Sequence, residues 1–164
     1  MYNPKVLKYF QKPHNFGKMK NPDGMGKVGN IICGDVMYLY IKVVKDKIKD
    51  IKFETFGCAA AIATSSMITD LAKGKTLRAA LQINKEAIVK SLGGLPPIKI
   101  HCSVLANDAL AEAIYDYLRK NKRKISERLY KTHQRLEKEK KIIEEKYKDW
   151  MSEEEKMAEG GDKK

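Results

Sequence analysis

Apolar and polar positions follow two rhythms along this chain. From Val36 to Val44 the residues are largely apolar, β-branched or aromatic; Lys45-Asp46-Lys47 interrupts them, and Ile48, Ile51 and Phe53 continue with polar residues between. This pattern predicts a β-hairpin. Val6, Leu7, Tyr9 and Phe10 fall near helical spacing, and Pro13, Asn15, Gly17 and Pro22-Asp23-Gly24 follow. A short helix running into a mobile loop is expected there. Residues 59–71 are rich in small helix formers without Gly or Pro, which predicts a helix with its amino end at Cys58, closed by Gly74. Short helices are predicted over residues 76–82 and, capped by Asn84, over 85–92, before Gly93-Gly94. Consecutive prolines predict an extended segment over residues 95–99. Beyond Ser103 there is no proline, and no glycine before Gly160. One long helix, or two joined near Asn121, fits that stretch.

The end of the chain is a charged helix former with one apolar row, Leu129, Leu136, Ile143 and Trp150, spaced by sevens. Ile125, Thr132, Glu139 and Lys146 fill the companion heptad position poorly. The expectation is a solvated helix frayed at Gly160-Gly161. The sharper alternative docks the row on the body or on a second subunit.

A length of 164 residues suits one domain with an appendage. The net charge of +12 is spread as lysines among acids, with no basic stripe interleaved with aromatics. No nucleic-acid partner is expected. No apolar run approaches the roughly 20 residues that span a bilayer, so no membrane partner is expected either. Three unpaired cysteines without a secretory leader predict a reducing, cytoplasmic location.

Those cysteines carry the candidate chemistry. Cys33, Cys58 and Cys102 are 25 and 44 residues apart, which excludes Cys-x-x-Cys clips and requires the fold to assemble any shared site. Cys58 and Cys102 are expected just before helices, where exposed N–H groups favour thiolate. Gly34 and Gly57 allow close backbone approach, Asp35 lies two residues from Cys33, and His101 adjoins Cys102. Three thiolates with one imidazole or carboxylate suit tetrahedral zinc or an iron-sulfur cluster, and are too soft for magnesium or calcium. A buried cysteine is commonly only a small hydrophobe, but three flanked by Gly, Asp and His argue against that for all of them. His14 and His133 read as surface residues. A Cys-His hydrolase lacks an orienting partner for its nucleophile.

Phe10-Gln-Lys-Pro13-His-Asn15-Phe-Gly17, Gly26-Lys-Val-Gly29 leading to Cys33-Gly-Asp35, Phe56-Gly-Cys58-Ala, and Leu95-Pro96-Pro97-Ile98-Lys99-Ile-His101-Cys102 appear in this order. Over about residues 1–120 the chain closely resembles the IscU and NifU amino-terminal scaffold proteins of iron-sulfur cluster assembly. The resemblance implies an α+β fold, a small antiparallel β-sheet packed against helices, here followed by a long charged C-terminal helix. It places a scaffold domain at residues 1–124 and leaves residues 125–164 as an extension without counterpart.

The resemblance further implies a carrier, not a turnover enzyme. Iron and persulfide sulfur, the latter from a cysteine desulfurase, would form a transient 2Fe-2S cluster that passes to apo iron-sulfur proteins. Cys33, Cys58 and Cys102 match the cluster or metal ligands, with Cys102 the principal persulfide acceptor. Asp35 and His101 match the positions that provide or exchange the fourth ligand. The aspartate should make the site more labile, since a carboxylate is harder than a thiolate. Zinc fits the same residues in the cluster-free form. Leu95, Pro96, Pro97, Ile98 and Lys99 match the peptide recognised by an ATP-driven chaperone with its co-chaperone. A homodimer or higher oligomer would shield the cluster. The competing reading is a zinc-bound sulfur acceptor that activates a desulfurase; related acceptors carry an insertion between the second and third cysteines and lack the Leu-Pro-Pro segment, both unlike this chain.

Overall fold

The structure is a computed structural model that describes residues 2–29 and 35–161, with side chains through Lys146. Pro4–Gln11 forms α1, started by Asn3, whose Oδ1 accepts from the Val6 amide at 3.0 Å. The same side chain donates through Nδ2 to Leu92 O and Gly94 O at 3.1 and 3.0 Å, so one asparagine caps a helix and ties the amino end to the middle of the chain.

Three antiparallel strands follow, in the order β1 (Gly24–Gly29), β2 (Val36–Val44) and β3 (Lys47–Thr55). The predicted hairpin is β2–β3, with Leu39 opposite Phe53 and Ile41 opposite Ile51, all buried on the core face. Its turn places Lys45 and Asp46 at φ of 51° and 60°, and Arg123 pairs with the Asp46 carboxylate and holds it below its ordinary range.

β1 replaces part of the expected loop. Its glycines look like turn residues, but Gly26 serves close packing: a Cβ there would lie 2.3 Å from the Ala109 carbonyl oxygen. The helix that carries Ala109, His101–Lys120, therefore rests on β1 backbone to backbone. Gly26→Ala should cost about 3 kcal/mol, because the clash is with a helix backbone that cannot turn aside; urea denaturation followed by circular dichroism measures it.

Behind the sheet lie α2 (Ala59–Ala72) and α5 (His101–Lys120), with the short α3 (Leu77–Leu81) and α4 (Lys85–Ser91) between them in sequence. α2 is buried around most of its circumference. Two of its hydroxyls are satisfied within the helix: Thr64 donates to Ala60 O at 2.8 Å and Ser65 to Ala61 O at 2.6 Å. Thr64 Oγ1 also reaches Cys102 O at 3.3 Å, bridging α2 to α5.

The expected extended segment is in part a 3₁₀ turn, Pro97–Lys99, closed by the Lys99 amide on Pro96 O at 2.8 Å. Proline tolerates a first helical position, so the second proline begins the turn instead of prolonging the extended run. The turn feeds into α5, so Cys102 lies inside the first turn of that helix and not before it.

The last described element is α6 (Glu127–Gly161), after a break at residues 121–126, near the anticipated joint. The expectation of a solvated helix fails in its first half: Leu129 and Leu136 are 5% and 7% exposed and belong to the main core. Long-range pairs reinforce the docking. Arg135 binds Asp108 of α5 at 2.9 Å, and burial still pushes that carboxyl up. Trp150 lies beyond the described side chains. No described helix is long and apolar enough to cross a membrane.

Candidate metal and sulfur centre

Four element ends converge at one edge of the sheet: the start of β2, the end of β3, and the amino ends of α2 and α5. Thr55 donates from Oγ1 to Val36 O at 2.9 Å, pinning the end of β3 to the start of β2. That fixes Asp35, the residue before β2, against Gly57 and Cys58, which follow β3 directly.

Cys58 is the N-cap residue of α2 and makes no side-chain cap hydrogen bond. Ile100 at the amino end of α5 makes none either. Two helices thus bring first-turn amides without a side-chain cap to the same place, an arrangement that favours an anionic guest.

Cys58 Sγ is 3.8 Å from Cys102 Sγ, and His101 Nε2 is 3.6 Å from Cys102 Sγ. Ligand atoms of Asp35, Cys58 and Cys102 all lie within 4.8 Å of one another. Cys102 is 1% exposed, Cys58 half-buried and Asp35 8% exposed. Asp35 Oδ2 is buried and finds no hydrogen-bond partner among the described residues. Leaving such an oxygen unsatisfied costs on the order of 1–3 kcal/mol, a cost that a bound cation would remove. Gly57 makes the close approach possible: a Cβ there would be 3.0 Å from that oxygen and 2.6 Å from Ala61 Cβ.

Of the ligands anticipated from sequence, Asp35, Cys58 and Cys102 come together, with His101 at the rim. Cys33 lies outside the described residues. Lys99 and Tyr2 border the site, and of these Tyr2 had no signal in the sequence beyond being one aromatic in a short helix-leading segment. Tyr2 packs on the cluster of Ala60, Ala61 and Cys102. Burial raises its phenol, the two thiols add to the rise, and Lys99 opposes it. Two large apolar side chains flank the site in solvent, Phe56 at 84% and Ile98 at 78% exposure.

A pair of thiols with a buried carboxylate and an adjacent imidazole can bind zinc or an iron-sulfur cluster and is ill suited to magnesium or calcium. Residues 1–124 match the NifU-like N-terminal domain. The chain belongs to that family. Relatives of this NifU-like chain include the iron-sulfur cluster assembly scaffold protein IscU 1 of Archaeoglobus fulgidus, 60% identical over 121 residues that cover 74% of this chain and 79% of the relative. The scaffold protein IscU of Aquifex aeolicus is 48% identical over 124 residues, covering 74% and 79% respectively. The crystal structure of the N-terminal part of a nitrogen-fixing NifU-like protein from Brucella abortus shares the α+β fold, with a TM-score of 0.58, 23% identity, and coverage of 72% of this chain and 94% of that one.

Proposed function

We propose that this NifU-like chain is a scaffold on which an iron-sulfur cluster is built as cargo and then handed to apo iron-sulfur proteins. The observation that carries the proposal is the meeting within 4.8 Å of Cys58, Cys102 and the Asp35 carboxylate, whose Oδ2 has no hydrogen-bond partner among the described residues. Cys33 is the expected third thiolate, and Asp35 or His101 completes the set.

Sulfur would arrive as a persulfide on a cysteine desulfurase. The Cys102 thiolate attacks the outer sulfur, the S–S bond to the donor breaks, and the donor cysteine leaves as thiolate. Reduction of two sulfane sulfurs to sulfide takes four electrons; two ferrous ions going to ferric supply two, and an external reductant supplies the rest. The thiols give up their protons as iron binds. Ile98, exposed on its 3₁₀ turn beside α5, is available to the chaperone expected to promote release.

The test combines the protein anaerobically with a desulfurase, cysteine, ferrous iron and a reductant, then adds an apo-ferredoxin. Visible absorption should grow on the scaffold and then move to the recipient. A colourless scaffold that holds zinc tightly, accepts sulfur undiminished and leaves the recipient empty would assign the role to a zinc-bound sulfur acceptor instead.

A further inference from the structure

A second set of metal-ligating side chains lies where α6 crosses α5. His133 and Glu137 are four residues apart on α6 and so share a face, and Glu112 of α5 stands opposite. One ligand atom from each lies within 4.8 Å of the other two. His133 Nδ1 sits 2.9 and 3.0 Å from the two oxygens of Glu112, and the His133 ring stacks on Tyr115 with centroids 3.7 Å apart and planes at 11°. The side chains of His133 and Glu112 are only 21% and 12% exposed, so His133 is not the surface residue expected of it. A cavity of about 920 Å³ between β1, α5 and α6 opens onto all three.

We propose that Glu112, His133 and Glu137 bind a divalent cation of the zinc or ferrous class, and that this cation fastens α6 to the body. An imidazole with two carboxylates suits those metals better than magnesium or calcium. The two helices supply ligands from both sides of a seam, so binding holds the seam closed. The Tyr115 stack fixes the ring plane beforehand. Two carboxylates facing one imidazole gain from added positive charge. Lys140, whose charge also reaches Glu112, is the rival cation. The site stands apart from the cysteines and holds whether or not they carry a cluster.

Cobalt(II), titrated alone into the reduced full-length protein, distinguishes the two sites. Thiolate ligation gives strong charge-transfer absorption, whereas imidazole and carboxylate ligation gives only weak ligand-field bands. Wild type should bind a second equivalent that adds no charge-transfer intensity and slows hydrogen exchange in the first half of α6. Glu137→Gln should weaken that equivalent by about tenfold or more while leaving the thiolate signal and the far-ultraviolet circular dichroism unchanged. The Cys58→Ser/Cys102→Ser variant should lose the thiolate signal and keep the other. A single equivalent in wild type, or a second one unaffected by both Glu137→Gln and His133→Gln, would overturn the assignment and leave the cluster as an ion pair completed by Lys140.

Discussion

Cys102→Ser is expected to abolish cluster assembly while leaving the fold intact. The serine hydroxyl is a hard ligand that stays protonated at neutral pH, so it cannot take over the thiolate's place beside Cys58 at 3.8 Å. Cys102 is 1% exposed and packs mainly on Ala60 and Ala61, so exchanging sulfur for oxygen should cost only about 1 kcal/mol of stability. Iron and acid-labile sulfide after anaerobic reconstitution should fall at least about tenfold relative to wild type, a difference of 1.4 kcal/mol or more in retention. The same variant should stop accepting persulfide sulfur, which mass spectrometry of the protein after incubation with a desulfurase reads directly. Wild-type iron and sulfide content in Cys102→Ser would remove this residue from the site.

Asp35→Ala is expected to act in the opposite direction on two quantities. The carboxylate is buried with one oxygen lacking a partner among the described residues, so its removal should stabilise the cluster-free protein by about 1 kcal/mol, the relief of desolvation outweighing a small cavity. Removing a hard, exchangeable ligand next to the two sulfurs should also slow release of the cluster to a recipient or chelator, on the order of tenfold. His101, 3.6 Å from the Cys102 sulfur, remains to complete the ligand set. Stopped-flow transfer to an apo-ferredoxin and chemical denaturation measure the two effects separately. Faster release, or failure to form any cluster, would make Asp35 an obligatory holder instead of the ligand that keeps the cargo mobile.

Much of this arrangement was legible in the chain because its signals are local. Small helix formers after Gly57-Cys58, Asn84 before an apolar-periodic run, and the interrupted β-branched stretch around Lys45-Asp46 each specify an element within a few residues of themselves. Asp35, Cys58 and Cys102 stood out for their settings, and the fold brings them together. The strand Gly24–Gly29 was hidden because Gly24 and Gly26 answer to the α5 backbone, more than eighty residues away in sequence. The docking of α6 stood only as the alternative reading, for a related reason. Its apolar row lacks a second heptad position, and what completes the contact is Arg135 with Asp108 and His133 with Glu112, pairs whose partners lie on another helix. Tyr2 and Phe56 gain meaning only from where the chain leaves them, at the rim of the sulfur pair.

Iron K-edge X-ray absorption of the anaerobically loaded protein tests the shared site most directly. If Cys58, Cys102 and their neighbours hold one cluster, the shell averaged over both irons should be mostly sulfur with a minor oxygen or nitrogen contribution, and each iron should have the other at short range. A shell of oxygen and nitrogen alone, with no neighbouring iron, would contradict the scaffold account.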